Sequence, residues 1–383
     1  MSRKILVSLV SDQTIPNINF IKSNNPFDEY WFITTSYSEG ESNGIAEPGK
    51  SRSNWIVETC NIFDKSEKIK VIEDDLKDIS NKLTAKIKEL DYDPKFTINL
   101  TCGTKMMSLS TYLFFKDMTD QIYYTPIGSK HFKKINTDEI LDSKPISIDD
   151  YLKGYGIKFK SKQCSKEQSY VYDFFNIFSK GLVDLNLLND LRRHYRGKSA
   201  ISIEKVENVI EETESDRGKR IENLNAFLNS INFEAKESGK LLKKEIEFLT
   251  GGWFEEFIFY KIKQILNLDD NFIKIGVELE KSKITNTNDL DVVIVRNDRF
   301  IVIECKTGMK MPDGKITQLF NETVYKAAAL KKNFGLNVTS YLMTLEDLTN
   351  GDLVNKADIL GVKVIHETDI KDEEKLNKRL IEI

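Results

Sequence analysis

The sequence predicts an α/β protein with two sheet-bearing units joined by a helical stretch, and three observations predict it. Apolar runs of strand length alternate with runs of helical period over the first third of the chain. The pattern turns helical and aromatic-rich from about residue 149 to 248. Strand signals then return around "DLDVVIVRNDRFIVIECKT", where two acids and a lysine interrupt the apolar pattern. A length of 383 residues suits two domains better than one.

The elements of the first unit, residues 1–148, follow in order. "KILVSLVS" reads as a buried strand bounded by a polar cluster, "IPNINFIKS" has room for a helix, and "EYWFITTS" is a second strand. "SEGESNGIAEPGKSRS" is a long Gly/Ser-rich loop. "SRSNWIVETCNIFDK" reads as an amphipathic helix and "KIKVIE" as a short strand. "DDLKDISNKLTAKIKEL" has helical spacing with Asp74 and Asp75 near its start. "KFTINLT", "TKMMSLSTYLFFKD" and "QIYYTPI" read as strand, helix and strand. This alternation predicts a parallel sheet of Rossmann-like type.

Residues 149–248 are expected to form a helical connecting region. Its "LRRHYRGK" cluster offers positive charge for nucleic acid, although a solvated face is the commoner role of such a run. Residues 249–383 open with "LTGGWFEEFIFYKIKQILN", in which Thr250 and the Gly pair suggest a helix entry. Strands are expected at "FIKIGVELE", "DLDVVIV" and "FIVIECKT". A long helix, "ITQLFNETVYKAAALKKNFG", follows with Gly335 as its stop, and "VTSYLMT" and "VKVIH" complete the sheet.

Composition narrows the function classes. A net charge of −4 gives no overall signature for polyanions, so any nucleic-acid site must be a local patch. The four cysteines form no CxxC pair, which points to a reducing compartment and away from structural zinc. The three histidines are far apart in sequence, which disfavours His-based catalysis. No apolar run reaches the length of a membrane span, and "MSRKILVSLVSDQT" turns polar too soon for a signal peptide. The expectation is a cytoplasmic protein with no membrane contact.

Side chains alternate along a strand, so Glu304 and Lys306 share one face with Cys305 on the other. "VRNDRF" supplies the reversal that brings Asp291 beside Glu304. Adjacent acidic oxygens suit a hard cation, Mg²⁺ or Mn²⁺, and the lysine suits charge developing on a phosphate. A lone ExK is ordinarily a surface ion pair. Here it ends an apolar strand, follows an Asp on the preceding strand, and lies downstream of Glu255 and Glu256 at a helix start.

In the first unit, "NLTCGTKMMSL" places a strand, a Thr-Cys-Gly-Thr-Lys turn and a helix in succession. Such a turn sets N–H groups, hydroxyls and a lysine at a helix N-terminus, which favours an anion. "SDQTIPN" ends the first strand in a second polar turn, and ligand clefts of α/β folds form at such strand ends.

The C-terminal constellation, from about Leu249 onward, resembles the PD-(D/E)xK restriction-endonuclease-like nucleases. The resemblance implies catalytic roles for Asp291, Glu304, Lys306 and Glu255, with Glu256 a close competitor for the helix glutamate. It implies a metal, Mn²⁺ or Mg²⁺, on Asp291, Glu304 and the Cys305 carbonyl, and in-line attack of water on a phosphodiester. Leu290 stands where that family usually has proline. Gln318, Tyr325, Lys326, Lys331 and Lys332 on the following helix offer contacts to a substrate backbone. "ILVSLVSDQTIPN" and "NLTCGTKMM" resemble the CARF domain of CRISPR ancillary proteins, and the whole chain resembles the CARF nucleases of type III CRISPR systems. That resemblance implies a CARF domain, a helical connector and a restriction-endonuclease-like domain. It implies a homodimer activated by cyclic oligoadenylate, usually cyclic tetra-adenylate, that cleaves single-stranded RNA or DNA or nicks duplexes. Carried over by position, Ser11, Asp12, Gln13, Thr14, Thr101, Gly103, Thr104, Lys105 and Met106 would line the ligand, with Thr34, Thr35 and Ser36 as neighbours. The competing readings are a constitutive restriction or repair nuclease with a dimerisation domain, and a non-catalytic nucleotide-sensing regulator.

Overall fold

A computed structural model describes residues 2–24, 26–42, 45–126, 128–137, 139–181, 188, 191–193, 195, 198–203, 227–280, 289–309, 316–330, 334–348 and 351–383. The N-terminal unit contains β1 (Ser2–Leu9), α1 (Ile15–Asn24), β2 (Glu29–Thr34), the small β3–β4 hairpin (Glu41–Ser42, Ile45–Ala46) and α2 (Arg52–Cys60). It continues with β5 (Ser66–Lys70), α3 (Leu76–Lys88), β6 (Asp93–Asn99), α4 (Lys105–Phe115), β7 (Ile122–Tyr124), β8 (His131–Lys134), β9 (Ile140–Asp142) and α5 (Ile148–Gly154).

The strands form one sheet in the order β5-β2-β1-β6-β7-β8-β9. The first five are parallel, and β8 and β9 add an antiparallel edge. A central parallel strand is covered on both faces, which is why "ILVSLV" is continuously apolar rather than alternating. Ile5, Val7 and Leu9 pack with Ile79, Leu83 and Met107 on one side, while Leu6 packs with Phe20 and Phe32 on the other. The chain runs outward through β1, β2 and β5, then returns across β1 to β6. The topological switch point therefore lies between β1 and β6, at the turns after Leu9 and Asn99.

The second unit contains β10 (Lys158–Lys162), α6 (Gln168–Ser179), the paired antiparallel strands β11 (Ala200–Ser202) and β12 (Lys240–Leu242), α7 (Lys243–Glu247) and α8 (Trp253–Ile265). It ends with β13 (Ile273–Glu280), β14 (Asp289–Arg296), β15 (Arg299–Lys306), α9 (Thr317–Leu330), β16 (Val338–Thr344), α10 (Asp352–Ile359), β17 (Val362–Ile365), α11 (Glu367–Ile370) and α12 (Glu373–Ile381). Its sheet has the order β10-β13-β14-β15-β16-β17, antiparallel through β15 and parallel from there on. Phe175 stacks on Phe257 at 3.9 Å and Phe174 on Trp253 at 4.4 Å, which pins α6 to α8 on one face.

Two expectations are corrected. The stretch read as helical supplies an edge strand, β10, whose "KFKSK" carries the charge typical of an edge, and a small two-stranded sheet. Thr250 and the Gly pair do not begin a helix: α7 and α8 are joined by a π-helical turn, Phe248–Gly252. Gly335, the expected helix stop, follows residues 331–333, which lie outside the described residues. Its φ of +87° and its approach to Tyr155, which an added Cβ would strike, are what require glycine there. Much of the connecting region, together with His194, Lys331 and Lys332, lies outside the described residues.

The two units share a core. Val293, Val295, Phe300 and Val302 pack into the same cluster as Leu6, Phe20 and Phe32, and Tyr151 stacks on Phe300 at 5.0 Å. No helix among the described residues is long and apolar enough to cross a membrane.

Candidate functional site

The first candidate site is a cavity of about 530 Å³ at the switch point. Buried polar side chains fix its floor. Asn17 donates to the Leu9 carbonyl at 2.8 Å and accepts from Ser8 at 2.6 Å, and Asn99 donates to both Ser8 and Asn17. These bonds tie the ends of β1 and β6 together beneath the two turns. Thr104 caps α4 by accepting from the Met107 N–H at 3.2 Å, leaving first-turn N–H groups and the exposed Lys105 at the mouth. Cys102 and Gly103 both adopt positive φ, which turns the chain sharply into that helix.

Of the sequence-predicted ligand residues, Ser11, Gln13, Thr101, Gly103 and Lys105 line the cavity. Four others do not. Asp12 is held by Arg52 at 2.8 Å and by the Tyr37 hydroxyl at 2.8 Å. Thr14 is buried and donates to the Gly154 carbonyl. Thr104 is occupied as a cap and donates to the Glu73 carbonyl at 3.1 Å. Met106 is absent from the lining, as are Thr34, Thr35 and Ser36. Residues not anticipated do line it: Asn19, Tyr124, Tyr155 and, from the second unit, Asp298, Leu336 and Asn337. Gln13 links the two units, accepting at Oε1 from the Leu336 N–H at 3.0 Å and the Tyr155 hydroxyl at 3.3 Å. No motif marks these contacts, because they arise from the packing of one unit on the other.

The second candidate site lies at the far end of the β14–β15 hairpin. Asp291 accepts from the Cys305 N–H at 2.7 Å, which fixes its carboxylate beside the end of β15. Lys306 lies 2.6 Å from Glu304 Oε1 and 3.6 Å from Asp291 Oδ2, and donates to the Cys305 carbonyl at 3.2 Å. Lys326 of α9 reaches to 3.9 Å from Glu304. Glu255, in the first turn of α8, feels the charges of Asp291, Glu304 and Lys306. Burial and the Asp291 charge push the Glu255 carboxyl up to about 7. Burial pushes Asp291 up to about 6 despite the nearby ammonium. Burial opposes the charge of Lys306, but Asp291 and Glu304 outweigh it and hold the amine protonated.

The two helix glutamates have different surroundings. Glu256 is buried and accepts from the Ser165 N–H at 2.6 Å, the Ser165 hydroxyl at 2.7 Å and the Lys166 N–H at 3.2 Å, so it anchors the approach to α6. Glu255 is the one that feels the Asp291 charge. The π-helical turn before α8 leaves the Thr250 carbonyl to accept from the Thr307 hydroxyl at 2.8 Å and from Arg192. This bond fastens the start of α8 to the residue after Lys306. Arg192, from the basic cluster, thus supports the site.

Among the described residues no group of three or more His, Cys, Asp or Glu is arranged as a ready metal cage. The donor set nonetheless fits a hard divalent cation. Asp291 and Glu304 share the Lys306 ammonium, Glu255 feels the charge of both, and Lys306 touches the same oxygens such a cation would use.

A Rossmann-like sensory domain joined to an endonuclease domain is the class of protein this chain defines. Residues 5–151 match the family model described as the Card1 CARF domain, and residues 242–381 match that described as Card1-like, endonuclease domain. The two matches span most of the chain, which belongs to the Card1-like CARF endonucleases. Among solved structures it is similar to protein VC1899 from Vibrio cholerae, at 17% identity and a TM-score of 0.70, with 99% of this chain and 98% of that one covered. It is also similar to Can2 from Sulfobacillus thermosulfidooxidans, a structure in complex with cyclic tetra-adenylate. There the identity is 19% and the TM-score 0.69, with 99% and 96% of the chains covered. At these identities the likeness speaks to the fold, along its whole length. No curated protein matches the sequence.

Proposed function

We propose that this protein is a metal-dependent nuclease of type III CRISPR defence, switched on by cyclic oligoadenylate and cleaving single-stranded RNA or DNA. The observation that carries the reading is the pairing, in one chain, of a nucleotide-sized cavity at a CARF switch point with Asp291, Glu304 and Lys306 in mutual contact and Glu255 within reach of their charges. The complex of Can2 with cyclic tetra-adenylate supports the choice of ligand. A ring with repeated nucleotides suits a two-fold site, so the active form is a homodimer. The exposed Leu109 and Leu113, one turn apart on α4, would offer the second copy an apolar face.

In the nuclease domain, Asp291, Glu304 and the Cys305 carbonyl would hold Mg²⁺ or Mn²⁺, with Glu255 reaching it directly or through water. The metal would polarise the scissile phosphate and acidify a bound water. With those carboxylates engaged by the metal, the Lys306 ammonium would serve the attacking water or the phosphate. Because it is held protonated, it acts as a donor and a charge rather than as a base. Lys326, 3.9 Å from Glu304, would meet the substrate backbone. The test is single-turnover cleavage of labelled single-stranded RNA, single-stranded DNA and supercoiled closed-circle DNA by the ligand-bound protein, in Mg²⁺, Mn²⁺ or EDTA. Cleavage that survives exhaustive chelation removes the metal from the mechanism.

A further inference from the structure

We propose that Asp298, a residue of the nuclease domain, selects the base of the ligand by accepting the exocyclic amine of an adenine. This rests on the cyclic-oligoadenylate reading above.

The turn between β14 and β15 needs two residues in left-handed backbone, and Asn297 and Asp298 take φ values of 55° and 56°. Asparagine or glycine would satisfy that turn equally well. The turn therefore does not explain a carboxylate, and the site makes a carboxylate costly: burial pushes Asp298 up to about 6. Holding Asn19 does not explain it either. Asn19 donates to Asp298 Oδ2, and an amide oxygen would accept that bond as well. Asn337 donates to the Asp298 carbonyl at 3.0 Å, which fixes the turn without using the side chain. Among the described residues Oδ1 has no hydrogen-bond partner, and Asp298 forms part of the cavity wall.

The same cavity begins at Gly103 and Lys105, where a phosphate would sit on the N-terminus of α4. A volume of about 530 Å³ spans from there to Asp298 and holds a nucleotide. Pro16, Phe132 and Tyr155 give it apolar walls that suit a base plane. With the phosphate at Lys105, the base edge faces Asp298. Adenine presents an N–H donor there, whereas hypoxanthine presents a carbonyl that a carboxylate repels. The selected base would then touch the turn that leads directly into the strand ending in Glu304 and Lys306.

The experiment is calorimetric titration of the full-length protein with cyclic tetra-adenylate and cyclic tetra-inosinate, for wild type, Asp298→Asn and Lys105→Ala. Asparagine keeps the turn and the bond from Asn19. Wild type should prefer the adenine ring on the order of 10- to 100-fold, as expected for a hydrogen bond to a charged acceptor. Asp298→Asn should bring the ratio to within about 3-fold, and Lys105→Ala should weaken both rings alike. An unchanged ratio in Asp298→Asn overturns the assignment, and so does wild-type protein that binds both rings equally. The second result needs no variant, so a misfolded mutant does not shield the proposal. Wild-type protein that binds neither ring refutes the activator reading first, and the role of Asp298 falls with it.

Discussion

Replacing Lys306 with methionine keeps the aliphatic stem and removes the charge, and so isolates what the ammonium does in the metal-free protein. Its nitrogen lies 2.6 Å from Glu304 and 3.6 Å from Asp291, with both carboxylates largely shielded. At an effective dielectric constant of about 20 the closer pair is worth at most about 6 kcal/mol. The real loss is capped, because an orphaned carboxylate can take up a proton instead. Asp291, already pushed up to about 6 by burial, takes one up far more readily at pH 5 than at pH 7.5. Lys306→Met should therefore lower unfolding free energy by about 3–4 kcal/mol at pH 7.5 in EDTA, and by about 1 kcal/mol or less at pH 5. Denaturant unfolding at the two pH values reads both numbers. Saturating Mg²⁺ or Mn²⁺ should restore much of the difference while leaving the variant unable to cleave. A loss under about 1 kcal/mol at pH 7.5, or an equal loss at both pH values, would refute the view that Lys306 neutralises this carboxylate pair.

Other outcomes follow from the same geometry. Glu255 and Asp291 are raised to about 7 and about 6, above their ordinary 4.5 and 3.8, so the folded metal-free protein keeps protons that the unfolded chain has lost. Its stability should accordingly fall as pH rises from about 4 to 7, while the Mg²⁺-induced rise in Tm grows over the same range; a metal shift as large at pH 5 as at pH 8 contradicts this. Glu255→Gln should cut the cleavage rate by roughly 10²-fold with little change in Tm, whereas Glu256→Gln, which disturbs three accepted hydrogen bonds, should lower Tm and spare the rate at permissive temperature. The reverse pattern would show that the helix glutamate has been misassigned. Lys105→Ala should weaken cyclic tetra-adenylate binding by about 10-fold while saturating ligand recovers most of the rate, and unchanged affinity by calorimetry would put the sensor elsewhere.

The strands were legible where local rules dominate. "ILVSLV" had to be covered on both faces, and "DLDVVIV" and "FIVIEC" had to pair through the polar reversal between them, which brings Asp291 to Glu304 and Lys306. The C-terminal helices α10 and α12 were missed because α12 buries only Leu376 and Leu380, and α10 only Ala357. The choice between Glu255 and Glu256 was not legible. Neighbours on one helix turn are chemically alike, and only the packing of Ser165 against Glu256 separates them. The same holds for the sensor cavity. The turns after β1 and β6 announced themselves, but Asn19, Tyr155, Asp298, Leu336 and Asn337 meet only because one domain's core runs into the other's. Tertiary docking of that kind leaves no local periodicity to read.

The central claim is that one chain couples ligand at the CARF switch point to phosphodiester cleavage some distance away. The most direct measurement is the single-turnover cleavage rate of the wild-type protein in Mn²⁺ with and without saturating cyclic tetra-adenylate, beside Glu304→Gln under the same conditions. The account predicts a rate that rises at least about 10²-fold with ligand in the wild type, and a Glu304→Gln protein that binds the ring with wild-type affinity yet stays inactive. A wild-type rate that is the same with and without the ring, or full cleavage by Glu304→Gln, would contradict it.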